Sequence, residues 1–164
     1  MSMLNFAKHI LAVANENNLS VSNLQLQKVM YFTIREQQDN NDLLSKVYDE
    51  PFYVWRYGPI IPSIYKKYCG YGSRAIIEKG KRTSEYSIFD DSIIRLLKED
   101  LFTLIDKSRE HKFWQENKSK IVNGASDMKY RLTDVLPTDY SFSITSYKIL
   151  IYFKIILYKF SFLC

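Results

Sequence analysis

His9 and His111 are the only imidazoles in this chain and Cys69 and Cys164 its only thiols. Any soft-metal or thiol chemistry must therefore be built from these four residues. A structural or catalytic zinc site needs three or four nitrogen and sulfur ligands at short, regular spacing. Neither histidine lies in an HExxH arrangement and the two cysteines form no CxxC pair. His9 is expected as an exposed residue of the first helix and His111 as a first-turn residue of the last. Cys69 would act as a nucleophile only beside a base that lowers its pKa, and the sequence supplies no such base nearby. Gly70-Tyr71-Gly72-Ser73 lacks the GxxxxGK[ST] spacing of a phosphate-cradling loop and reads as a turn. The expectation is a protein without catalytic residues, metal or cofactor.

Binding chemistry is better represented. Tyr65, Tyr68 and Tyr71 interleave with Lys66, Lys67 and Arg74, which pairs stacking faces with phosphate contacts. Residues 66 to 82 hold six cations against Glu78 alone, a net +5 that equals the formal charge of the whole chain. Such a stripe can steer an acidic partner or a phosphate backbone toward the surface, and it can equally be a solvated face. Tyr65 and Tyr68 also have the spacing of an inward helix face. A nucleic-acid-binding regulator is thus the alternative reading, set against binding of another protein.

The elements that must position these residues follow from periodicity. The length of 164 residues and an apolar fraction of 46% suit one compact domain. Met3, Phe6, Ile10, Val13 and Ala14 recur at helical steps. Ser22 and Gln25 match a capping box that opens a second helix to about Gln37. Its inner stripe reads as Leu26, Val29, Met30 and Thr33, with Lys28, Tyr31 and Arg35 on another side. Residues 43 to 47 read as a short helical piece, 52 to 56 as a strand, and 62 to 69 as a helix that Pro62 can open at its first position. Between them Gly58-Pro59 makes a rigid elbow, Pro59 biasing Gly58 toward extended backbone. Residues 75 to 78 and 86 to 89 are expected to form a hairpin. Asp90-Asp91 caps a helix running through Ile93, Leu97, Leu101 and Ile105 to about Asp106. Ser108 caps a last helix to Val122, stopped by Asn123-Gly124, and residues 129 to 134 close the domain in extended form. The fold class is mainly α (α+β), a single domain of about five to six helices with a small strand or hairpin.

Leu24-Gln25-Leu26-Gln27-Lys28-Val29-Met30-Tyr31-Phe32 and the later stretch from Phe52 to Tyr65, with Trp55-Arg56-Tyr57-Gly58-Pro59-Ile60-Ile61-Pro62 at its centre, carry a family pattern. They resemble the Panacea domain of SocA-like antitoxins and phage-associated proteins. Gly70-Tyr71-Gly72 and the His111 to Lys118 stretch containing Trp114 extend the resemblance over about residues 3 to 135, Phe113 standing where the family often has Pro. The resemblance implies a mainly helical domain that works by binding. Its usual partner is a cognate protein toxin, in some members delivered to a ClpXP-type protease.

The expected partner-binding residues are Gln27, Lys28, Tyr31, Arg56, Tyr57, Tyr65 and Lys66. Leu26, Trp55, Gly58, Pro59, Pro62 and Trp114 are expected to set the fold, although a large aromatic such as Trp55 also suits an interface. No secretory leader is evident at the amino terminus, so a cytoplasmic protein is expected. Residues 1 to 139 form the domain in this reading. Residues 140 to 164 turn abruptly to Ser, Phe, Ile, Tyr, Leu and Lys without acids, an apolar-basic tail read as an extension foreign to the domain. Lys148, Lys154 and Lys159 disfavour a spanning helix, since a central lysine costs about 2.5–3.5 kcal/mol on insertion scales.

Overall fold

A computed structural model describes residues 1 to 137. The expected apolar-basic extension, residues 140 to 164, lies outside them. Eight α-helices, four short 3₁₀ helices and one two-stranded antiparallel sheet make up the described fold, which is 62% helical. The α-helices and strands are α1 Met3–Glu16, α2 Asn23–Glu36, α3 Asn41–Val47, β1 Tyr53–Trp55, β2 Gly58–Ile60, α4 Pro62–Tyr68, α5 Asp90–Leu97, α6 Leu101–Glu110, α7 Lys112–Asn117 and α8 Leu132–Val135.

The organising element is α2. Ser22 opens it, its Oγ accepting from the Gln25 amide at 3.3 Å. The Gln25 side chain does not reach back to complete the box; it donates to the Leu97 carbonyl at 3.1 Å and ties α2 to α5. Around α2 pack α1, α4, α5, α6, α8 and the hairpin, so ten of its fourteen residues are buried. The expectation that Lys28 and Tyr31 face outward is therefore corrected. Both are fully buried, as is Gln27. A helix wrapped on every side has no solvent stripe, whatever its polar residues suggest.

Two of those polar residues bond the backbone of the elbow, although Gln27 Nε2 has no partner among the described residues. Gln27 Oε1 accepts from the Ile61 amide at 2.8 Å and Lys28 Nζ donates to the Pro59 carbonyl at 2.7 Å. The elbow itself is a hairpin. β1 pairs with β2 in the register Tyr53↔Ile60, Val54↔Pro59, Trp55↔Gly58, leaving Arg56 and Tyr57 as the turn. Gly58 is not extended: its φ is +86°, the left-handed residue that lets the chain re-enter the sheet after a turn. Its hydrogen meets the buried Ser108 Oγ and Lys28 Nζ. Turn geometry overrides the bias from the following proline. Pro62 then occupies the first turn of α4, as its fixed φ predicts.

Residues 128 to 130 run along the other edge of β1. The Val54 amide donates to Met128 at 3.0 Å and the Tyr130 amide to Phe52 at 2.8 Å. The expected extended segment is thus present up to Tyr130, after which the chain turns into α8. Other expectations need correction. Residues 75 to 78 and 86 to 89 form no hairpin; Ile76 donates to the Val21 carbonyl, while Ser84–Phe89 is a 3₁₀ helix that turns Tyr86 and Phe89 together onto Phe6. Spacing of three suits that helix as well as apolar content suits a strand. The long helix from residue 93 to 106 is two helices, because Asp100 caps a new one by accepting from the Thr103 amide at 2.8 Å. Ser108 caps nothing; it is buried inside α6 and donates to Ile105. The chain re-enters helix at Lys112, and Val122 lies beyond it beside a turn whose Asn123 and Gly124 both have positive φ.

His9 is also buried rather than exposed. Its Nδ1 accepts from the Thr83 amide at 3.1 Å, which leaves Nε2 to donate to Asp90 Oδ1 at 2.8 Å. One imidazole thereby pins the loop before α5 onto α1. No helix among the described residues is long and apolar enough to cross a membrane.

Candidate functional site

The hairpin turn is the most exposed part of the motif. Tyr57 is 53% exposed and Arg56 lies over its ring at 5.9 Å. Beneath the turn, the Arg56 amide donates to the Gly124 carbonyl at 2.9 Å and the Trp114 indole donates to the Trp55 carbonyl at 3.0 Å. Trp114 is 5% exposed and Arg109 packs over its ring at 4.9 Å. The turn is thus held rigidly from behind while its tip projects.

In front of the turn lies a mainly apolar cleft of about 350 Å³. Trp55 and Tyr65 form one wall, their rings edge to face at 5.5 Å. Leu101, Phe102 and Ile105 of α6 line it as well. Ser22 to Leu24 at the start of α2, with Ile60, Gly72, Ser73 and Gly124, complete the lining. Phe102 stands 71% exposed at the rim.

The structure therefore divides the expected site. Trp55, Tyr57 and Tyr65 meet at the cleft, with Arg56 at its edge and Lys66 exposed one residue beyond Tyr65. Gln27, Lys28 and Tyr31 sit in the interior instead. Arg56 and Tyr57 do not lie on opposite faces of a strand; both are turn residues. Phe102, Leu101 and Asn23 belong to the cleft and were not anticipated. Phe102 had a legible signal: Asp100 to Thr103 has the spacing of a helix start, and a first-turn phenylalanine there has no helical neighbour to cover it.

Tyr31 has its own internal role. Its ring packs against Phe32, Phe52 and Tyr130, and its hydroxyl lies 2.9 Å from His111 Nδ1. Burial pushes the Tyr31 phenol above its usual value, so the proton stays on oxygen. Burial first, and then the nearby Arg35 cation, lower His111 to about 4. Neutral His111 accepts from Tyr31 at Nδ1 and carries its hydrogen on Nε2. Because the unfolded chain takes up that proton near pH 6.5, stability contributed here is present above pH 6.5 and lost as pH falls toward 4. His111→Asn keeps an acceptor for Tyr31 without the titration. Thermal melts across pH 4 to 7 are expected to show a smaller acid-side loss in that variant than in the parent.

His111 borders a second, polar cleft of about 470 Å³ with Arg35, Lys112, Arg131 and Asp134. Arg131 is held there by both oxygens of Asp134, and Arg35 donates to the Val135 carbonyl. Of the cationic stretch, Lys67 pairs with Glu78, and Arg82 bridges Glu16 and Asp90. Tyr68 is buried, which removes one of the three stacking faces. Among the described residues, no group of three or more His, Cys, Asp or Glu side chains is placed to hold a metal ion.

The class these observations define is a mainly helical domain with an aromatic surface cleft at a rigid hairpin. No family model, no curated protein and no solved structure matches the chain.

Proposed function

We propose that this protein works by binding another protein at the Trp55–Phe102 cleft, as a non-enzymatic antitoxin-like domain of the Panacea kind that neutralises a cognate toxin. The observation that carries the reading is that two exposed aromatics, Tyr57 and Phe102, line one mainly apolar cleft together with Trp55 and Tyr65. Rigid rings at the rim of a desolvated pocket are the residues whose truncation costs binding most, commonly 2 kcal/mol or more. The motif resemblance supplies the kind of partner; the cleft supplies the place.

The test is co-expression with the toxic product of a neighbouring reading frame. Full-length chain is expected to restore growth. Tyr57→Ala combined with Phe102→Ala is expected to weaken the complex at least about 30-fold, the equivalent of about 2 kcal/mol, and to abolish rescue. Both side chains are exposed, so the melting temperature should stay near that of the parent. Rescue at parental strength by the double variant would remove the cleft from the mechanism. Absence of any toxic neighbour and of any captured protein partner would remove the antitoxin reading.

A further inference from the structure

Apart from the aromatic cleft, and sharing no residue with it, a surface cavity of about 340 Å³ is lined by Asn5, Lys8, Lys81, Arg82, Thr83 and Ser84. Each of these side chains can donate a hydrogen bond, three are cations and none is an acid.

The cavity forms where residues 80 to 84 press onto α1. Gly80 has a φ of +74°, and a Cβ there would collide with the Lys8 carbonyl oxygen and the Ala12 amide nitrogen. Only glycine lets the two backbones approach so closely. The Lys81 amide then donates to the Lys8 carbonyl at 3.0 Å, and the Thr83 amide to His9 Nδ1 at 3.1 Å. These bonds set Lys8, half-buried on α1, and Lys81, exposed on the loop, into the lining of one cavity.

Their charges are not compensated from within. Arg82 is neutralised by Glu16 and Asp90, whereas Lys8 and Lys81 have no ion pair among the described residues. Glu85 follows Ser84 but does not line the cavity. Two cations brought together by backbone contacts repel one another, and an anion between them relieves that repulsion. The neutral donors are open too. Asn5, Thr83 and Ser84 make hydrogen bonds only through their backbones among the described residues, which leaves one side-chain amide and two hydroxyls for a ligand.

We propose that this cavity binds the phosphate group of a small polar phosphomonoester. At pH 7 such a group carries a charge of about −1.5 to −2 and three strong acceptor oxygens. That matches two uncompensated ammonium groups and three neutral donors. A carboxylate brings one charge and two oxygens, and nucleic acid one charge per phosphate, so either leaves a lysine uncompensated. The lining also offers no apolar or aromatic side chain on which a base could stack. The site is independent of the partner-binding reading above.

Titrating the isotope-labelled full chain with inorganic phosphate and with glycerol 3-phosphate, at neutral pH and at constant ionic strength set with chloride, tests this by amide chemical shifts. Both are expected to give saturable shifts at Lys81 to Ser84, and acetate none. Lys8→Gln combined with Lys81→Gln is expected to weaken both ligands at least about ten-fold, the scale of a lost charge-assisted bond. Lys8→Arg combined with Lys81→Arg keeps both charges and is expected to stay within a few-fold of the parent, which separates loss of the site from loss of the fold. Lys66→Gln, an exposed lysine outside the cavity, is expected to change nothing. Shifts that fail to saturate, an equal response to acetate, or parental affinity in the double Gln variant would overturn the proposal. So would a short DNA strand without terminal phosphates that binds as tightly as glycerol 3-phosphate, since the ligand would then be a polyanion rather than a monoester.

Discussion

Gly58→Ala is expected to destabilise the domain by about 2–4 kcal/mol, more than any exposed change in the motif. Two separate costs add. With φ at +86°, an L-residue is strained before it touches anything, by about 1 kcal/mol or more. A Cβ built there would lie 2.2 Å from Ser108 Oγ and 3.0 Å from Lys28 Nζ, and both neighbours are buried with no room to retreat. Overpacking of this kind typically costs 1–3 kcal/mol and here forces apart α2, α6 and the hairpin together. Urea unfolding of the single variant measures the sum. Ser108→Ala in the same chain removes the closest atom, so the double variant should recover part of the loss and leave the backbone strain behind. Additive losses in the two single variants would show that the hairpin moves as a unit and that the glycine is needed only for its backbone angle.

That contact explains why Gly58 could be recognised from sequence and misassigned in conformation. A Gly-Pro pair announces a turn, but whether the glycine is extended or left-handed depends on the strand it re-enters, which is non-local. The same limit runs through the rest of the fold. Ser22 was legible as a cap because capping is a bond across three residues, and Met3 to Ala14 because one face of α1 is a simple stripe. Gln27 and Lys28 were illegible as interior residues. The Gln27 oxygen and the Lys28 ammonium are met by amide and carbonyl groups of residues 61 and 59, more than thirty positions away, and no periodicity encodes that. His9 was misplaced for the same reason, since Asp90 and Thr83 supply its partners. At the candidate site, Trp55, Tyr57 and Tyr65 were visible because they cluster in one motif. Phe102 and Asn23 join them only through tertiary packing.

Lys28 gives the second large effect, and its sign is set by burial. The ammonium is fully buried, desolvation holds its pKa well below the ordinary 10.5, and its one hydrogen bond goes to a neutral carbonyl rather than to a carboxylate. Folding therefore favours the uncharged amine. Between the lowered folded value and 10.5 the unfolded chain carries a proton that the folded chain lacks, so stability rises with pH across that window by up to about 1.4 kcal/mol per unit. The window closes near pH 10 from the other side. Burial raises the phenols of Tyr31, Tyr48 and Tyr130, so above that point the unfolded chain loses protons the folded chain keeps, and stability falls. Chemical unfolding at pH 8, 9 and 10 should show the parent gaining stability with pH. Lys28→Met keeps the length of the side chain and removes the titration, so its profile should lack that rise and show only the fall as the tyrosines begin to titrate toward pH 10. At pH 8 the variant loses the bond to Pro59 but also sheds the neutralisation cost; at pH 10 that cost is much smaller, and the parent should compare most favourably with the variant. Parallel profiles for the two chains would mean that Lys28 stays charged inside the fold, contrary to its surroundings.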